Sequence, residues 1–163
     1  MDLLGKGKAS SSLKAHDDIL EEFETLQLSD FVITSCASTK YNCVSWAVGD
    51  IGQKWVSGAV VRGYYWPPGI GDDDTPDQWA EVFKRHGYEL VDPLDWSYQK
   101  GFEKVAIYAD NEGASHVARQ LPDGNWSSKL GSLSDIEHGT LSLLEPRYGK
   151  VVRILRRHRP DWA

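Results

Sequence analysis

The chain reads as an α+β fold, an antiparallel sheet of about four to six strands packed against N-terminal helices. Three observations point there. Two capped, amphipathic helix patterns come first; a run of alternating strands and turns, Lys104 to Gly131, follows; an apolar stretch closes the chain. At 163 residues the chain can bury roughly two thirds of its unfolded surface. The reading is therefore one domain over 16–163, preceded by a flexible Gly-, Ser- and Lys-rich segment over 1–15.

From Asp17 to Leu28, apolar Ile19, Leu20, Phe23 and Leu26 recur at helical spacing opposite an acidic, solvated face. Asp30 to Ser35 is a short extended piece, and CASTKYN is a loop. In the following NCVSWAVGD, Asn42 has the side chain of a helix N-cap and Gly49 is a natural stop, which puts Cys43 in the first turn. A thiol at that position is expected to have a lowered pKa, because unpaired N–H groups favour its anion. Trp46 follows on the same helical face.

Residues 51–74 read as an irregular, aromatic loop that includes Trp66 in the 64–69 stretch YYWPPG. The Asp72-Asp73-Asp74 triplet is a poor metal site, since three adjacent carboxylates cannot face one ion; it precedes a helix instead. That helix has Thr75 as cap, Pro76 at its first position, Trp79, Val82 and Phe83 as its buried stripe and Gly87 at its end. Tyr88 to Val91 is a strand, and DPLDWSYQKG connects it to the meander.

Within the meander, KVAIYAD, SHVARQL and WSSKLG are strands, and DNEGA and PDGN are turns. A two-residue hairpin at Asp123-Gly124 would pair Leu121 with Trp126, Arg119 with Ser128 and Val117 with Leu130. It would set Val117, Leu121, Trp126 and Leu130 on one apolar face. His116, Ala118, Gln120, Ser127 and Lys129 would share the other, polar face. A slip of one residue would exchange the two sets. After Gly131, Ser134 is expected to cap a helix carrying His138, and GKVVRILRR is the closing strand.

A Cys at a helix start, followed by a His at a strand entrance, is the layout of papain-like thiol enzymes, with Cys43 as nucleophile and His116 as general base. Gln120, Ser127 and Asp135 are candidates for the group that orients the ring. Asn42, Trp46, Trp66, Ser127, Lys129 and His138 are candidate substrate contacts. The series YNCVSWAVGD, YYWPPG, GFEKVAIYAD, SHVARQL, WSSKLG and DIEH resembles a bacterial family known as a domain of unknown function, from about Asp30 to Arg157. The Cys-helix and His-strand parts also resemble the NlpC/P60 and CHAP amidases, which implies hydrolysis or transfer at a peptide, amide or thioester bond. Lys129 beside His116 departs from that pattern, since an ammonium cannot accept a hydrogen bond from the ring. The other function class the sequence allows is a non-catalytic binding module, an immunity or adaptor protein, holding a protein partner on the aromatic loop and the polar sheet face.

The net charge of −6 argues against nucleic acid as partner. Without a signal-like segment or a run of about 18 apolar residues, the expectation is a cytoplasmic protein that does not contact a membrane. Two cysteines, Cys36 and Cys43, fit a reducing compartment, and their spacing is not that of a zinc site. No cofactor is expected.

Overall fold

The structure, a computed structural model, describes residues 3–160. Its helices are α1 (Leu3–Glu22), α2 (Cys43–Val48), α3 (Pro76–Lys84) and α4 (Glu145–Tyr148). Its strands are β1 (Phe31–Ile33), β2 (Lys54–Trp55), β3 (Tyr64–Tyr65), β4 (Glu89–Leu90), β5 (Phe102–Asp110), β6 (Gly113–Gln120), β7 (Trp126–Lys129), β8 (Asp135–His138) and β9 (Lys150–His158). Seven strands form one antiparallel sheet in the order β1-β8-β7-β6-β5-β9-β4. The α+β class holds, with a sheet larger than the expected four to six strands. The strand β8, expected from the sequence as a helix, accounts for the difference.

Both faces of the sheet are covered, so the middles of its central strands are buried. On one face Val105, Ile107, Val117 and Leu155 pack against Val44 and Ala47 of α2 and Trp79, Val82 and Phe83 of α3. On the other, Ala106, Tyr108, Ala118, Trp126, Leu130, Ile136 and Ile154 pack against Ile19 and Phe23 of α1 and against Leu141 and Leu144. Burial on both sides means that the polar residues of the central strands need partners inside the protein. Glu103 is met by Arg157 and Arg159, and the Lys104 ammonium donates to the Asp95 carbonyl at 2.7 Å.

Local signals fix the helices. The Asn42 side chain accepts from the Ser45 N–H while Ser45 Oγ accepts from the Asn42 N–H, and Gly49 closes α2 at φ 99°. Thr75 and Pro76 start α3 as expected, with the Thr75 side chain accepting from the Gln78 N–H. Helix α1 begins at Leu3, well before the apolar spacing that starts near Asp17.

Three expectations are corrected. The aromatic loop of residues 51–74 contains a parallel pair, β2 with β3. The segment after Gly131 is a strand, β8, followed by a 3-10 turn at Leu141–Leu144 and α4, so His138 stands on a strand and Ser134 caps no helix. A strand there gains β7 on one side and β1 on the other.

The third correction matters most for function. β6 and β7 pair Arg119 with Ser127 and Gln120 with Trp126, one residue away from the expected register. A two-residue turn at Asp123-Gly124 would require an N–H at position 122, and Pro122 has none. The loop instead runs over 121–125, with the Leu121 N–H donating to the Asn125 carbonyl and the Gly124 N–H to that of Leu121. Every β7 side chain changes face in consequence.

Candidate functional site

The register places Ser128, not Lys129, beside His116. His116 Nε2 lies 3.0 Å from Ser128 Oγ, which lies 2.8 Å from His138 Nε2, and His138 Nδ1 lies 2.9 Å from the Thr140 carbonyl. The three side chains come from β6, β7 and β8, are almost wholly buried, and share the face that carries Tyr108 and Trp126. Tyr148 covers the relay; its ring stacks on the His116 ring at 4.1 Å and 6°.

The chain of bonds dictates the tautomers. The Thr140 carbonyl only accepts, so His138 carries its proton on Nδ1 and its Nε2 accepts. Ser128 has one proton, which it donates to His138, and its oxygen therefore accepts from His116 Nε2–H. His116 Nδ1 is left as a bare lone pair. Burial holds both imidazoles neutral: it depresses His116 well below the usual histidine value, with His138 adding to the effect, and brings His138 down to about 4.

Cys43 sits at the start of α2, where nearby backbone N–H groups, that of Val117 one residue beyond His116 first among them, favour its anion. The β6–β7 ladder has stopped short of Val117, so this N–H does not go to β7. Cys43 also lies close enough to Tyr148 to help raise its phenol, after burial as the larger cause. Cys43 nevertheless packs with the core on the α2 side of the sheet, whereas Tyr148 and the relay lie on the other face. No hydrogen bond joins Cys43 Sγ to His116 among the described residues.

The expected lowering of the thiol is reversed. Cys43 retains part of its surface, but protein packed around the sulfur pushes the thiol up to about 11, against the pull of the three N–H groups. One turn of unpaired N–H groups does not offset that desolvation.

The remaining candidates fall elsewhere. Ser127 and Lys129 occupy the α2 side of the sheet, where Ser127 Oγ accepts from Trp46 Nε1 at 3.1 Å. Lys129 is fully buried, donates to the Leu133 carbonyl and lies over the Tyr41 ring. Asp135 takes hydrogen bonds from Ser35 and Tyr41 and does not meet His116. Gln120 lies on the face of His116 but donates to the Trp96 carbonyl at 3.3 Å, so it does not orient the ring. Asn42 has both ends of its amide engaged, at the α2 cap and at the Trp55 carbonyl. Trp66 is buried, with its indole donating to the Gly71 carbonyl, so the 64–69 loop is partly core. The polar face thought to hold a partner is likewise enclosed, with His116, Gln120, Ser127 and Lys129 all buried.

Ser128, Thr140 and Tyr148 were not identified as site residues from the sequence. Pro122 beside Asp-Gly was the available signal for Ser128, because it excludes the tight turn.

Residues 32–156 match the family described as Domain of unknown function (DUF7689). The chain belongs to that family. The matched span takes in α2, the meander, β8 and nearly all of β9, and with them Cys43, His116, Ser128 and His138. Neither the curated proteins nor the solved structures hold a match to the chain. Among the described residues, no helix is long and apolar enough to cross a membrane.

Proposed function

We propose that this chain is a thiol hydrolase or acyltransferase of papain-like type acting on an amide or thioester bond, with Cys43 as nucleophile and His116 as general base. The observation that supports it is the fixed His116 tautomer. The bond from Ser128 to His138, locked at its far end by the Thr140 carbonyl, leaves His116 Nδ1 bare, as a base must be. A general base held neutral at pH 7 suits a thiol that is also neutral at rest.

In the proposed reaction His116 Nδ1 takes the Cys43 proton as the sulfur attacks the carbonyl carbon. The imidazolium returns that proton to the departing amine or thiol. Water, deprotonated by the same nitrogen, or an acceptor nucleophile then releases the acyl group from sulfur. Ser128 and His138 position the ring; they do not touch substrate. Closure of the Cys43–His116 pair belongs to the substrate-bound state, since catalytic hydrogen bonds tighten there.

The raised thiol favours a second reading, a non-catalytic binding module in which Cys43 is an inert packing residue and the relay only satisfies a polar core. One experiment separates the two. Incubation with p-nitrophenyl acetate, followed by mass spectrometry of the peptides, should show acetyl on Cys43 in the wild-type chain and a much slower reaction in His116→Gln, with Cys36 as the internal reference thiol. Equal rates at Cys43 in wild type and a folded His116→Gln would rule out the base role and leave the binding module.

A further inference from the structure

On the relay side of the sheet, the connection after β4 leans over the 121–125 loop, β7, the residues after β8 and the start of β9 to enclose a cleft of about 560 Å³. That is a small-molecule volume. Its aromatic wall carries Trp96 and Tyr98, 53% and 49% exposed, an unusual exposure for rings this large in a chain whose other indoles mostly find acceptors. Trp46, Trp55, Trp66 and Trp79 donate to Ser127, Asp50, the Gly71 carbonyl and Asp74 respectively.

Trp126 is different. Its side chain is buried, at 2% exposed, and it lines the cleft, yet among the described residues its indole N–H has no acceptor. Among the described residues, the enclosed polar side-chain atoms left without partners are Tyr88 Oη, Gln120 Oε1 and Asp135 Oδ1. Trp126 Nε1 is not one of them, so this donor is not sealed from solvent, and the open space that Trp126 lines is this cleft. Lys150, at the start of β9, lines the same cleft, and among the described residues its ammonium has no ion-pair or hydrogen-bond partner. Glu145 also lines it, but its carboxylate already accepts from the Val151 N–H at 3.4 Å. The cleft thus offers a flat apolar wall, one neutral donor and one mobile ammonium, with the Glu145 carboxylate held by a backbone N–H at its edge.

We infer that this cleft is a binding site for a small molecule with a flat apolar body and a single carbonyl or carboxylate acceptor, the body lying against Trp96 and Tyr98 and the acceptor taking the Trp126 N–H. The site is distinct from Cys43 and is independent of the catalytic reading. It nevertheless abuts the relay: Trp126 pairs with His138 across β7 and β8, and Thr140, whose carbonyl holds His138, lines the cleft.

Calorimetric titration with three probes of one body tests the inference: indole-3-acetate, indole-3-acetamide and tryptamine. The acid and the amide should bind and the amine should not. Trp126→Phe should weaken both binders about fivefold, the worth of one neutral hydrogen bond. Trp96→Ala, an exposed change that leaves the core intact, should weaken them as well. Loss of acid binding alone in Lys150→Met would identify a carboxylate ligand, and no loss a neutral carbonyl. Failure of all three probes at millimolar concentration would overturn the inference. So would tryptamine binding as tightly as the acid, or unchanged affinity in Trp126→Phe and Trp96→Ala with near-UV circular dichroism preserved.

Discussion

Replacing Ser128 with Ala removes one oxygen and orphans two ring nitrogens. Ser128 is fully buried, and its hydroxyl is the partner of both His116 Nε2, at 3.0 Å, and His138 Nε2, at 2.8 Å. Each buried polar atom left unpaired costs about 1–3 kcal/mol, and the lost hydroxyl leaves a void smaller than a water. Because the two nitrogens could partly re-pair with each other, the expected loss is about 3 kcal/mol rather than the full sum. In a domain of this size that corresponds to a fall in Tm of roughly 6–12 °C. Urea unfolding followed by tryptophan fluorescence would measure the free energy, and calorimetry the Tm. Ser127→Ala is the internal control: it breaks a single part-buried bond, from Trp46, and should cost about 1 kcal/mol. A Ser128→Ala chain no less stable than Ser127→Ala would refute the closed relay and, with it, the derived His116 tautomer.

Three further outcomes are expected. In a Cys36→Ser background, alkylation of Cys43 by iodoacetamide should accelerate with pH up to about 11; a plateau already reached by pH 7 would indicate a resting thiolate–imidazolium pair. Stability should fall on acidification from about pH 6.5 towards 4: both buried histidines have depressed folded-state pKa values, so the unfolded chain binds more protons in that window, and His138→Gln should flatten urea midpoints measured across it. Gly149→Ala should lower the thermal midpoint by several degrees, because the added Cβ would run into the Ala109 carbonyl and φ is 91°; an unchanged midpoint would mean that the bulged end of β5 yields freely.

Much of the site depends on a register that runs against a strong local signal. Asp-Gly flanked by alternating residues is the pattern of a two-residue hairpin, and only the missing N–H of Pro122 weighs against it. The wrong register set Lys129 against His116, an obstacle to any thiol chemistry; the actual one turns Lys129 towards Tyr41 and supplies Ser128. His138 was legible as a candidate contact, but on a helix surface. Its role as the far end of a buried relay depends on β8 lying between β1 and β7, a pairing between segments about a hundred residues apart.

What the sequence determined by itself is what short-range chemistry decides. Asn42 and Gly49 bound α2, Thr75 and Pro76 start α3, the central strands lie where alternation and turns put them, and Cys43 stands at a helix start. These follow from backbone groups satisfied within a few residues. Only the tertiary structure decided which way the β7 side chains face, that the supposed polar face is enclosed, and that Cys43 is raised rather than lowered. Each of those depends on what packs against a residue from elsewhere in the chain. Desolvation and cross-strand pairing are set by distant neighbours, which leave almost no mark in the local pattern.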